Sequence, residues 1–108
     1  MYHLSVMETL GIEPREVQRR LDEGEDILLL DCRTQEEWIT CHIKGAILIP
    51  LQEMSLRAVE LESHRHRPIV VYCHRGPRSM IITRLLRHIG FDDVHAMQGG
   101  IDRWSAEI

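Results

Sequence analysis

The run Ile69-Val70-Val71-Tyr72-Cys73-His74-Arg75-Gly76-Pro77-Arg78-Ser79 constrains the fold of this chain more than any other stretch. A short apolar run ends on a cysteine, a tight basic loop follows, and a segment with helical periodicity opens at Ser79. The pattern predicts a strand, a loop and a helix N-terminus, with Cys73 at the loop's mouth. A second apolar run, Ile27-Leu28-Leu29-Leu30, reads as a strand buried on both faces. It is followed by Thr34-x-x-Glu37, a capping box that starts a short helix. This βα alternation favours a parallel sheet with helices on both faces. Ligands in such sheets bind beyond the carboxyl ends of the strands, which is where Cys73 falls.

The loop's composition suits a reactive sulfur. A cysteine reacts as its thiolate, and nearby cations or a helix N-terminus favour that form. Arg75 and Arg78 lie within five positions of Cys73. The helix expected from Ser79 would point its free N–H groups and positive dipole end back at the loop. Gly76 lets the backbone turn sharply, so that successive N–H groups converge into an anion-binding nest. Pro77 removes one N–H and stiffens the turn. The planar fork of Arg78 makes it the candidate for holding an oxyanion. His74 could add charge when protonated, tune access to the sulfur, or simply face solvent, and the sequence leaves these equal. The bland alternative is a buried, inert cysteine beside two solvated arginines. That explains the cysteine but not the glycine, two arginines and helix start that follow within six positions.

These residues resemble a known family. Cys-x-x-Gly-x-Arg-Ser after an apolar strand resembles the active-site loop of the rhodanese family of sulfurtransferases, in particular bacterial single-domain members. Leu30-Asp31-Cys32-Arg33, Glu36-Glu37-Trp38, His42-Ile43-Lys44-Gly45-Ala46 and Ile49-Pro50 are similar to the family's upstream signature. Gly99-Gly100-Ile101 with Trp104 is similar to its C-terminal ending. The resemblance implies a three-layer α/β/α fold around a five-stranded, mainly parallel sheet with the Cys73 strand in the middle. It also implies sulfur transfer by covalent catalysis. The Cys73 thiolate would take the outer sulfur of thiosulfate, release sulfite, and hold a persulfide for a thiol or sulfur-carrier acceptor. No metal or organic cofactor is expected. Two rivals are kept. Cysteine phosphatases and arsenate reductases have similar loops, but the resembling phosphatases place five residues between Cys and Arg, where Cys73 and Arg78 are separated by four. A non-catalytic persulfide-carrier or partner-binding module is the other.

The length of 108 residues suits one domain, residues 1–108, and 44% hydrophobic with 28% charged residues suits a globular one. A net charge of −4 argues against nucleic acid as a partner. No apolar run is long enough to span a bilayer. The N-terminus lacks the features of a signal peptide, and three cysteines without metal-type spacing point to a reducing, cytoplasmic compartment. Further elements are expected as a weak strand at 5–10, a helix at about 14–23, a strand at 46–49, an imperfect helix over 51–61, a basic loop at 63–67, a last strand at 94–97 and a final short helix. Trp38 and Trp104 read as core anchors. Asp31, Arg33 and His42 read as structural support that ties loops together. Cys32 is either a small core residue or a partner able to resolve a Cys73 persulfide, and Cys41 reads as a bystander.

Overall fold

A computed structural model describes residues 10–108. The strand expected at 5–10 therefore lies, but for Leu10, outside the described residues. The strands are β1 (Gly11–Ile12), β2 (Leu28–Asp31), β3 (Ile47–Leu48), β4 (Ile69–Tyr72) and β5 (Val94–Met97). They form one sheet in the order β1-β5-β4-β2-β3, and every pairing is parallel. β4 is the central strand, as the resemblance implied.

The two apolar runs became the two best-buried strands. All four residues of β2 and all four of β4 are buried. Alternation along each strand sends side chains to opposite faces. Leu28, Leu30, Ile69 and Val71 join one core cluster, and Leu29, Val70 and Tyr72 join the other. Helices cover both. On the second face lie α1 (Pro14–Asp22), through Val17, and α5 (Gly100–Glu107), through Ile101. On the first face lie α3 (Met54–Arg57) and α4 (Pro77–His88), through Met54, Ile82 and Leu86. The result is the three-layer α/β/α arrangement.

Local signals explain most element ends. The short helix α2 (Gln35–Thr40) starts on the capping box, with Thr34 and Glu37 each satisfying the other's backbone N–H. Helix α4 begins at Pro77, two residues before the expected start. Proline fits the first helical position, because its φ is preset and its missing N–H has no partner there in any case. The stretch 51–61 is not one helix. It is a 3₁₀ turn (Leu51–Glu53), the single α-turn of α3, and a 3₁₀ run (Ala58–His64) that takes in the start of the expected basic loop. Its imperfect apolar spacing leaves Leu56 and Val59 in solvent, so no continuous helical face exists to bury. Trp38 is also not a core anchor. It is half-buried on α2 and stacks on the His42 ring, with centroids 3.6 Å apart. Trp104 does pack against the second core cluster.

This topology creates one favoured site. From β2 the chain runs outward to β3, whereas from β4 it runs the opposite way to β5. The strand order thus reverses between β2 and β4, and the crevice beyond their carboxyl ends is the expected ligand position. Asp31-Cys32-Arg33 and Cys73 meet there. The edge is stiffened by a buried ion pair, Arg33 with Asp31, whose closest contact is 2.8 Å. The Arg33 Nη2 also donates to the Cys41 carbonyl at 2.6 Å, which ties β2 to the end of α2. Tyr72 adds a second tie, its hydroxyl accepting from the Ile43 N–H at 3.1 Å. Removing one partner of a buried pair strands the other's charge. Arg33→Ala is expected to lower stability by about 3–5 kcal/mol in urea unfolding followed by circular dichroism.

Candidate functional site

The loop between β4 and α4 is built around the Cys73 sulfur. Gly76 has φ +129°, a conformation L side chains rarely adopt, although a Cβ there would meet nothing nearer than 4.0 Å. Backbone conformation, not space, requires the glycine. That conformation aims the Gly76 N–H at the Cys73 sulfur, 3.0 Å away. The Cys73 thiol points to Ser79 Oγ at 3.8 Å, and Ser79 Oγ donates to the Gly76 carbonyl at 2.8 Å. Ser79 is fully buried and locks the loop to the first turn of α4.

A second helix holds the loop from behind. The first N–H groups of α5 donate to loop carbonyls: Ile101 to Cys73 at 2.9 Å and Asp102 to His74 at 3.1 Å. The Gly99-Gly100 pair makes this approach possible. A Cβ on Gly100 would lie 2.4 Å from the carbonyl oxygens of both Cys73 and His74. Gly100 is therefore required by close backbone contact, in addition to its φ of +59°.

The packing corrects two expectations. Cys73 is not at an open mouth. Its relative exposure is 0%, and it packs within the first core cluster. Nor is the loop a field of unopposed positive charge. Both terminal nitrogens of Arg78 engage Glu37, at 2.7 and 2.9 Å, so the fork expected to hold an oxyanion holds a carboxylate of the protein. Arg75 and His74 both face Asp102, each at 3.9 Å. Pro77 is exposed at the start of α4. The contacts of His42 are with Trp38, its Nδ1 lying 2.8 Å from the Trp38 carbonyl and its ring stacked on the indole. Glu37 and Asp102 are thus site residues that the sequence did not single out. Glu37 carried a signal as the capping-box acid, but nothing local linked it to Arg78, 41 positions away.

A pocket of about 270 Å³ adjoins the loop. Arg33, Glu37, Cys41, His74, Ile101 and Asp102 are among its walls. Cys41, read as a bystander, is exposed and is one of the residues that line this pocket. Cys73 itself is not among the lining residues, whereas its chain neighbour His74 is.

A model of the rhodanese-like domain matches residues 13–107. The chain belongs to the rhodanese-like family. It is 35% identical to the probable adenylyltransferase/sulfurtransferase MoeZ of Mycobacterium tuberculosis over 90% of its own length, but it spans only 25% of that protein. It is 32% identical to the thiosulfate sulfurtransferase GlpE of Coxiella burnetii, over 75% of this chain and 74% of that one. Among solved structures, the thiosulfate sulfurtransferase of Pseudomonas aeruginosa superposes with a TM-score of 0.81 at 30% identity, covering 94% of this chain and 20% of that one.

The Arg78–Glu37 bridge across this rhodanese-like site has a pH signature. Hydrogen bonding to Arg78 holds the Glu37 carboxyl down at about 2, against an ordinary 4.5. A carboxylate with a lowered folded-state pKa stabilises fully above its unfolded value and loses that stabilisation as pH falls. The stability gap between wild type and Glu37→Gln is therefore expected to be about 1–2 kcal/mol above pH 5. It should close progressively between about pH 4.5 and pH 2 in urea titrations at stepped pH.

Proposed function

We propose that this rhodanese-like chain is a sulfurtransferase that carries a sulfane sulfur on Cys73, taking it from thiosulfate and passing it to a thiol or sulfur-carrier acceptor. The observation that carries this reading is the Gly76 N–H aimed at the Cys73 sulfur from 3.0 Å, at the carboxyl end of the central strand. A backbone donor fixed on a sulfur stabilises negative charge on it, with no reorganisation needed when that charge develops. The thiolate attacks the outer sulfur of thiosulfate, the S–S bond breaks and sulfite leaves. The resulting persulfide is again anionic and sits under the same N–H and the first turn of α4. An acceptor nucleophile then takes the terminal sulfur, which predicts ping-pong kinetics. The name of the Coxiella relative, a thiosulfate sulfurtransferase of similar extent, supports thiosulfate as the donor.

With Cys73 wholly covered, this reading requires the donor to dock at the adjoining pocket and the exposed His74–Arg75 tip to shift before the sulfur is reached. Asp102 opposes that docking, because its carboxylate faces both basic side chains of the tip. Asp102→Asn is expected to lower KM for thiosulfate by about 2- to 5-fold at low ionic strength, and the gain should shrink in high salt. Steady-state kinetics with cyanide as acceptor measures both.

The same burial favours a second reading, a partner-binding module without turnover. One experiment separates the two. After brief incubation with thiosulfate and removal of excess, the intact mass is expected to show an initial rise of about 32 Da in wild type and to stay unchanged in Cys73→Ser. An unchanged wild-type mass would leave the binding module as the better account.

A further inference from the structure

Cys32 lies inside the site and has no part in the transfer just described. The β2–β4 ladder pairs Leu30 with Val71 and Asp31 with Tyr72. Its hydrogen bonding continues one step further, with the Cys32 N–H donating to the Tyr72 carbonyl at 3.1 Å. Cys32 therefore stands opposite Cys73. Residues two apart on a strand share a face. Leu30, Val71, Cys32 and Cys73 all belong to the same core cluster, so both thiols project to the same side of the sheet. Neighbouring strands run about 4.8 Å apart. Disulfides bridge Cα separations of about 4.4–6.8 Å, so this pair is placed to be linked.

The surroundings make Cys32 selective. It is fully buried, and its thiol donates to the Tyr72 carbonyl at 3.5 Å. Burial first, and then the charge of Cys73, push the Cys32 thiol up. It is therefore held protonated and hidden from solutes, and the sulfur it can meet is one delivered at Cys73. Cys41 is exposed on the pocket wall and serves as the internal contrast.

Resting on the reading of Cys73 as a persulfide carrier, we propose a further activity: Cys32 resolves an undelivered persulfide, forming a Cys32–Cys73 disulfide and releasing hydrosulfide. The Cys32 sulfur attacks Cys73 Sγ. The bond from Cys73 Sγ to the terminal sulfur breaks, and its electron pair goes to the departing sulfur. The Cys32 proton leaves with that sulfur, so a persulfide anion and a thiol become a disulfide and HS⁻. The persulfide is the oxidant, and no other co-reactant takes part. A raised attacking thiol makes this step slow, so a ready acceptor wins the sulfur. A chain left loaded without an acceptor discharges sulfide and stops until a dithiol reduces it.

The test uses the reduced full chain, freed of reductant and given thiosulfate under anaerobic conditions without a thiol acceptor. Intact mass, released sulfide and a non-reducing peptide map are followed together. The expected course is a gain of about 32 Da that gives way to a loss of about 2 Da, with about one sulfide released per chain. The map should show residues 32 and 73 joined, and dithiothreitol should restore the starting mass. In Cys32→Ser the gain should persist and sulfide release should be lost. The map is read on wild type, so the assignment does not depend on the variant folding. A lasting gain in wild type with no sulfide would overturn the resolving role and leave the persulfide reading standing. A linkage through Cys41, or a linkage without matching sulfide, would overturn it as well. If neither wild type nor Cys32→Ser gains mass or releases sulfide, the persulfide reading fails and the resolving role falls with it.

Discussion

The pairing of β2 with β4 is the constraint from which the site follows. Four consecutive registered pairs, all buried, fix the two strands side by side and end them together. Whatever follows each strand is thereby forced into one crevice. After β4 comes the cysteine loop; after β2 come Cys32 and Arg33. A slip of one residue would send each slipped side chain into the opposite core cluster, where the volumes differ, and would separate the two cysteines. The pairing therefore has strong energetic protection, since it is set by the same core that holds the sheet together.

On that fixed edge the loop is held by contacts of different kinds. Gly76 supplies a backbone shape, Ser79 a hydrogen bond to it, and Gly100 the absence of a side chain where α5 meets the loop. The first two N–H groups of α5 that reach the loop bind its carbonyls, while the Gly76 N–H turns inward to the sulfur. Charge is arranged with equal care. Glu37 takes both terminal nitrogens of Arg78, and Asp102 faces the exposed tip. The basic side chains of the loop are thus each opposed by a carboxylate, and the Cys73 thiol beneath them is fully buried.

Features governed by neighbours in the chain were legible in the sequence. The strands β2 and β4 showed as unbroken apolar runs, because both their faces are covered. The capping box at Thr34 and Glu37 showed because its two hydrogen bonds span three residues. The stretch 51–61 is not legible in this way, since a single helix there needs apolar residues such as Val59 to line a buried face, and Val59 is exposed. The same holds for Trp38: a large aromatic suggests a core anchor, yet its flat partner is the His42 ring at the surface.

By itself the sequence determined the strand–loop–helix unit, the position of Cys73 at a strand end, the parallel α/β class and the family. These rest on periodicity, on glycine and proline conformations, and on short motifs, all of which act over a few residues. Only the tertiary structure decided that Arg78 belongs to Glu37, that Asp102 faces the loop tip, that Cys73 is covered and that Cys32 stands opposite it. Each of those contacts joins residues from separate elements, and their distances depend on strand order and helix docking. No local spacing encodes them, because they arise only once the core has brought the two halves of the chain together.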